Sequence, residues 1–257
     1  MPFLPINPDV DPLLAIGLAG LAVIIAYTLF TLVGFGSALL ASPPLAQIMP
    51  VASVIPLLAL LDCGGSIVRA WNSRREVAIS ELYLLVPGML IGQVLGVSIL
   101  AMLPAAIMGV LLGCFVIGYG ARNLLLSWRP GQRSGRSMHA IPHGIFGGLL
   151  GGAFGSGGFI YASYLQTKLE SRSAFRATQA VMIGLSTAWR LVLCAVGGLL
   201  NGKLFLMALL MLPAALLGGV IGRHIDLRLS REGLGRVLNF LLLLGGLLLV
   251  VRHIPQF

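Results

Sequence analysis

The stretch IPHGIFGGLLGGAFGSGGFIYASYLQTKL, Ile141 to Leu169, is apolar along most of its length and is interrupted by Gly155-Ser156-Gly157-Gly158. Basic clusters bracket it: Arg122, Arg129, Arg133 and Arg136 precede it, and Lys168, Arg172 and Arg176 close it. A helix rises about 1.5 Å per residue and the hydrocarbon core is about 30 Å thick, so neither arm is long enough to cross comfortably. Keeping both clusters on the cytoplasmic side, as the positive-inside rule asks, makes the stretch enter the membrane and return. The reading is a re-entrant or broken hairpin whose tip is the Gly-rich turn. Length alone leaves a kink within one spanning helix as the alternative.

The same signal stands earlier in the chain. Gly34-Phe35-Gly36-Ser37 returns as Ala153-Phe154-Gly155-Ser156, and each copy ends the first apolar stretch of its half. Pro87, Gly92 and Gly96 have counterparts at the same spacing in Pro213, Gly218 and Gly222. Two shared patterns in the same order argue for an internal duplication, with repeats at 1–126 and 140–257 joined by a polar linker at 127–139. The paired glycines read as helix-packing positions, since Gly lets two backbones approach closely where no hydrophobic force drives association. The paired prolines kink or start the same helix in each half.

Of the 257 residues, 58% are hydrophobic and 10% are charged, and the mean hydropathy is +0.98. A soluble domain carries roughly a quarter charged residues, so this is an integral membrane protein. Alternating ten-residue patterns are absent, which excludes a barrel. The first residues, Met1 to Pro12, contain Asp9 and Asp11 but no Lys or Arg, unlike a cleavable signal peptide. The net charge of +9 comes from short clusters between apolar segments. These read as topology signals and lipid head-group anchors, not as a nucleic-acid surface.

Ten apolar segments are expected: Leu13 to Val33, Ser37 to Met49, Val51 to Trp71, Ile79 to Ala101, Ala105 to Leu126, Ile141 to Ala153, Gly158 to Leu169, Ala177 to Leu200, Leu204 to Ile221 and Leu234 to Val251. All basic residues except Arg190, Lys203 and Arg252 fall in four clusters between segments. With all four in the cytoplasm, each half is one hairpin plus three spanning helices. That odd count inverts one repeat relative to the other. The expected fold is thus an all-α polytopic membrane protein of two inverted repeats, each a Gly-broken hairpin plus three transmembrane helices. Eight plain spans with parallel repeats is the rival.

Candidate chemistry concentrates at the two turns. Uncovered backbone inside the hydrocarbon must be buried in protein or line a polar cavity. A helix starting after such a turn presents free N–H groups and the positive end of its dipole, which suits an anion. Gly36, Gly155 and Gly157 permit close approach of a ligand, and Ser37 and Ser156 add hydroxyls. Two ionisable residues lie well within spanning helices, Asp62 and Arg190. Either they pair, or Arg190 holds an anion in its fork of donors while Asp62 exchanges a proton. Gln179 and Ser186 share a helical face with Arg190, and Gln179 is the more expensive residue to bury. The alternative is that the glycines only permit a tight turn and that the charges form a structural ion pair.

Other groups point to less. Cys63, Cys114 and Cys194 read as small packed hydrophobes with no disulfide spacing. His139, His143, His224 and His253 lie near segment ends, form no metal site by spacing, and read as solvated interfacial residues. No catalytic or cofactor motif occurs, so no enzyme activity and no cofactor are expected.

The chain resembles the TauE/SafE, sulfite exporter-like, family. The likeness is carried by GFGSALLASPPLAQIMP (34–50), GGAFGSGGFIYASYLQTKLESRSAFRATQA (151–180), RAWNSRRE (69–76), and the Pro and paired Gly of LLVPGMLIGQVLG (84–96) and LMLPAALLGGVIG (210–222). The resemblance implies transport, mostly export, of a small sulfur-containing anion such as sulfite or an organosulfonate across the bacterial inner membrane. Secondary active transport is expected, because the sequence shows no nucleotide-binding domain, and a proton or sodium ion is the candidate coupling ion. A passive channel for a small anion or other small solute is the alternative, and a homodimer is left open.

Overall fold

The computed structural model describes residues 12–33, 37–73, 76–127, 139–224 and 231–253. They form ten α-helices, one for each expected apolar segment: α1 Pro12–Val33, α2 Ser37–Leu45, α3 Val51–Ser73, α4 Ile79–Met102, α5 Ala105–Ser127, α6 Ala140–Phe154, α7 Gly158–Lys168, α8 Arg172–Val196, α9 Gly202–His224 and α10 Arg231–His253. No strand occurs among the described residues. Five helices, α1, α4, α5, α8 and α9, are long and apolar enough to cross a membrane. They expose large apolar side chains, among them Leu13, Tyr83, Leu209 and Val196. A surface of this kind is stable against lipid and not against water.

Helices α2 and α8 differ most from the sequence reading; α2 ends at Leu45, short of the expected Met49. Helix α8 begins at Arg172, because Ser171 caps it by accepting a hydrogen bond from the Ala174 N–H at 3.4 Å, and it ends before the Gly197-Gly198 turn, where Gly198 has φ 68°. Pro87 and Pro213 both lie inside their helices, so neither starts one.

The helices form two compact units, each drawing on both sides of the 127–139 linker. One unit contains α1, α2, α5, α10 and the C-terminal half of α9. Within it, a Cβ on Gly218 would stand 2.5 Å from the Ile24 carbonyl, and one on Gly222 would stand 2.7 Å from the Thr28 carbonyl. Helices α1 and α9 therefore touch along these glycines and run in the same sense, and the Thr28 hydroxyl donates to the Gly218 carbonyl at 3.1 Å. Helices α5 and α10 run antiparallel: Gly109 meets His253, Gly113 meets Leu249 and Val250, and Gly120 meets Leu242 and Leu243. His253 corrects the expectation of solvated histidines. Its ring is buried against Gly109, where the missing Cβ leaves room for it, and its Nδ1 pairs with the Leu249 carbonyl at 2.9 Å. The three cysteines are free thiols, with Cys194 buried and Cys114 exposed.

The other unit contains most of α3, α4, α6, α7, α8 and the N-terminal half of α9. Helices α4 and α6 are in register through glycines on both sides. Gly88 meets Gly144, a Cβ on Gly92 would stand 2.0 Å from the Ile145 carbonyl, and a Cβ on Gly148 would stand 2.3 Å from the Met89 carbonyl. Backbone thus packs on backbone, as the paired-glycine reading expects. Helix α8 ascends with α4, because Thr178 accepts from the Ala78 N–H at its start and Ser186 meets Gln93 further on.

The chain turns back between α6 and α7. Gly155 takes φ 71°, the left-handed region, and its N–H and that of Ser156 donate to the Gly151 and Leu150 carbonyls at 3.0 and 3.2 Å. These two bonds close the helix end. Helix α7 then returns along α6: the Tyr161 ring fills the space beside Gly147, and Tyr164 lies 5.8 Å from the His143 ring, near where α6 began. Tyr164 also donates to Glu81 Oε2 at 2.8 Å, at the start of α4. A returning hairpin, not a kink in one continuous helix, is therefore the structure of 140–168. A side chain at Gly155 forces the left-handed conformation on a residue with a Cβ, which costs roughly 1–2 kcal/mol. Gly155→Ala is expected to lower the thermal unfolding midpoint of the detergent-solubilised protein by a few degrees, measured against wild type.

A candidate anion cradle at the hairpin tip

Helix α8 is amphipathic in the inverted sense. Its apolar Leu185, Val192 and Val196 are exposed, while Thr178, Gln179, Ser186, Thr187 and Arg190 are buried. Polar groups in a membrane helix are costly against lipid, so packing turns them inward. Of these, Gln179, Ser186 and Arg190 meet the tip of the α6–α7 hairpin.

Gly151, one turn before the tip, is the centre of this meeting. A Cβ there would stand 3.3 Å from Gln93 Nε2 and 3.6 Å from both Gly157 N and Ser186 Oγ. Arg190 Nη1 donates to the Gly151 carbonyl at 2.9 Å, the carbonyl that also accepts from the Gly155 N–H. A guanidinium at the C-terminal end of a helix is favourably placed against its dipole. Gln93 Nε2 donates to the Ser186 carbonyl at 2.9 Å and to its hydroxyl at 2.7 Å. Gln179 Nε2 donates to the Gly158 carbonyl at 2.7 Å. Tyr161 brings its hydroxyl within 3.1 Å of where a Cβ of Gly157 would stand.

Several buried polar atoms of this cluster have no protein partner: Ser156 Oγ, Tyr161 OH, Gln93 Oε1, Gln179 Oε1 and Arg190 Nε. Gln93 and Tyr161 are 0% exposed, and Ser156 and Arg190 are 3% exposed. A polar atom buried without a partner costs about 1–3 kcal/mol, so five around one turn mark a place built to receive polar matter. No side chain caps α7, whose first residues follow Gly157. Within its first turn the Ile160 N–H donates to the Gly157 carbonyl at 3.0 Å.

Of the expected site residues, Gly155, Ser156, Gly157, Gln179 and Arg190 come together here. Asp62 belongs to the same unit and is buried on α3, one turn before Ser66, which approaches Gly184 of α8. Ser37 opens α2 in the other unit and is buried. Gly36 lies outside the described residues. The sequence reading missed Gln93, Gly151 and Tyr161. A lone Gln within the otherwise apolar α4 was the available signal, since an amide is expensive in hydrocarbon. No group of three or more His, Cys, Asp or Glu that could hold a metal occurs among the described residues.

The family pattern for Sulfite exporter TauE/SafE matches residues 18–249, nearly the whole chain. The chain belongs to the TauE/SafE family. Among its relatives, a protein of Comamonas testosteroni described as the probable inner membrane transporter protein TsaS is 27% identical over 195 residues, covering 74% of this chain and 80% of that protein. The probable sulfite/organosulfonate exporter TauE of Cupriavidus necator is 29% identical over 194 residues, covering 70% of each. No solved structure matches the chain. As a TauE/SafE protein with five helices able to span a bilayer, the chain is an integral transporter of the bacterial inner membrane.

Proposed function

We propose that this TauE/SafE protein is a secondary transporter, working as an exporter, for a small anion, with a sulfur oxyanion or organosulfonate such as sulfite as substrate. The observation that carries the reading is the cradle itself: a buried guanidinium and two unpartnered hydroxyls at the start of an uncapped helix. Arg190 Nε and the Ser156 and Tyr161 hydroxyls supply donors that suit an oxyanion. The relative described as a sulfite/organosulfonate exporter supports the substrate class. Asp62, buried on the neighbouring α3, is the group assigned to proton coupling.

We further propose that the two repeats are inverted and that access alternates by movement of one against the other. Helix directions support this. With α5 as the one spanning helix between them, α4 and α8 run in the same sense only if the α6–α7 hairpin returns to its own side. The last helices of the two halves, α5 and α10, are antiparallel. Equivalent helices of parallel repeats would point the same way.

The test is transport by the purified protein in proteoliposomes. Sulfite is expected to accumulate against its gradient when a pH or sodium gradient is imposed. A passive channel would equilibrate sulfite and never concentrate it, and that outcome would overturn the secondary-transport reading.

A further inference from the structure

Resting on the anion-site reading above, we infer that the cradle selects a monoanion that brings its own hydrogen-bond donor, an O–H or N–H group beside the oxyanion. Two features of the hairpin tip carry this.

The first is the pair of glutamine amides. Gln93 Nε2 donates to the Ser186 carbonyl and Gln179 Nε2 donates to the Gly158 carbonyl. A carbonyl can only accept, so neither amide can be turned round without losing its bond. Each glutamine is thereby held with its Oε1 as the remaining group. Both Oε1 atoms are buried and have no donor. A fully deprotonated oxyanion consists of acceptors alone. It would satisfy Arg190 Nε and the two hydroxyls, yet leave both amide oxygens unpaired. A ligand with an O–H or N–H group supplies what they lack.

The second is charge. Among the described residues, Arg190 is the one cationic side chain in the cradle, while Lys168, Arg172 and Arg176 are exposed at or beyond the far end of α7. One buried positive charge balances one negative charge, and a second would stay uncompensated in a low-dielectric site. For sulfite, both features select the singly protonated hydrogensulfite. For sulfonates, they select those with a hydroxyl close to sulfur.

The shared sequence spacings give the first FGS turn no such set of groups. Counting by the spacing of the shared Pro and Gly pattern, Gln93 corresponds to Gly219, and by that of the FGS turn Tyr161 corresponds to Ser42. Neither position carries an amide or a phenol.

The experiment compares two monoanions of similar size, hydroxymethanesulfonate and ethanesulfonate, binding to the full chain in nanodiscs by titration calorimetry. Wild type is expected to bind the hydroxylated ligand about tenfold or more tightly, the effect of giving a buried acceptor its donor. In Gln93→Met, and separately in Gln179→Met, the ratio of the two affinities is expected to shrink toward about twofold. Equal, measurable affinity in wild type overturns the donor requirement and leaves the anion reading standing. A preference that persists undiminished in both folded variants overturns the assignment to these amides. Absence of binding by both sulfonates and by sulfite overturns the anion reading, and this inference with it. If either variant fails to fold, the wild-type comparison and the other variant still decide.

Discussion

Arg190→Ala is expected to weaken sulfite binding by about a hundredfold, and Arg190→Lys by about tenfold. The guanidinium is 3% exposed, with Nη1 on the Gly151 carbonyl and Nε unpartnered. A hydrogen bond to a charged group contributes about 1.5–3 kcal/mol, which corresponds to roughly ten- to 150-fold in affinity. Lysine restores the charge but not a planar fork able to reach the helix end and the ligand together. Alanine also removes a bond from the Gly151 carbonyl, which retains the Gly155 N–H. The fold should therefore survive, and a thermal unfolding curve of the variant checks that it does. The measurement is titration calorimetry of the purified protein with sulfite. Wild-type affinity in a folded Arg190→Ala protein would sink the assignment of this cradle as the anion site.

The largest effect on stability is expected at the α4–α6 contact. A methyl group on Gly92 would stand 2.0 Å from the Ile145 carbonyl oxygen and 2.8 Å from the Leu149 nitrogen, and one on Gly148 would stand 2.3 Å from the Met89 carbonyl oxygen. These neighbours are backbone and cannot rotate aside, so the helices must separate. Overpacking costs about 1–3 kcal/mol in ordinary cores, and a contact made only of backbone belongs at the upper end. Gly92→Ala and Gly148→Ala are each expected to lose about 3 kcal/mol of stability, read as a clear drop in unfolding midpoint or in yield of monodisperse protein. Gly20→Ala on α1 is the control, since nothing lies within 4 Å of its missing Cβ. Because Gly151 is one turn beyond Gly148 on α6, the same variants should weaken anion binding. A Gly148→Ala protein as stable as Gly20→Ala would show that α4 and α6 are not packed this closely.

Much of the architecture was legible because membrane helices announce themselves by length and apolarity. Each expected segment matches a helix to within a few residues. The exception is the start of α8, where the capping Ser171 precedes polar residues that apolarity could not include. The site was legible in part for the same reason. Arg190 and Gln179 stand out as costly residues in a span, and Gly155 to Gly157 as a break in one. Gln93 and Tyr161 were not recovered, because their role depends on α4 and α7 meeting the same turn. Gln93 is far from Ser156 in sequence, and its helix drew notice only for its proline and glycines.

What the sequence determined by itself was the membrane environment, the ten helices and the break at Gly155. Each follows from local composition, because hydrocarbon admits only apolar helices and tolerates bare backbone only where it is shielded. The tertiary structure decided that Gly155 reverses the chain. It also gathered Gln93, Ser156, Tyr161, Gln179 and Arg190 around one turn with five polar atoms unpartnered. Both outcomes depend on which glycine faces lock together. Close backbone packing of α4 on α6 sets the height of the hairpin tip against α8, and that register is a property of contacts between distant segments.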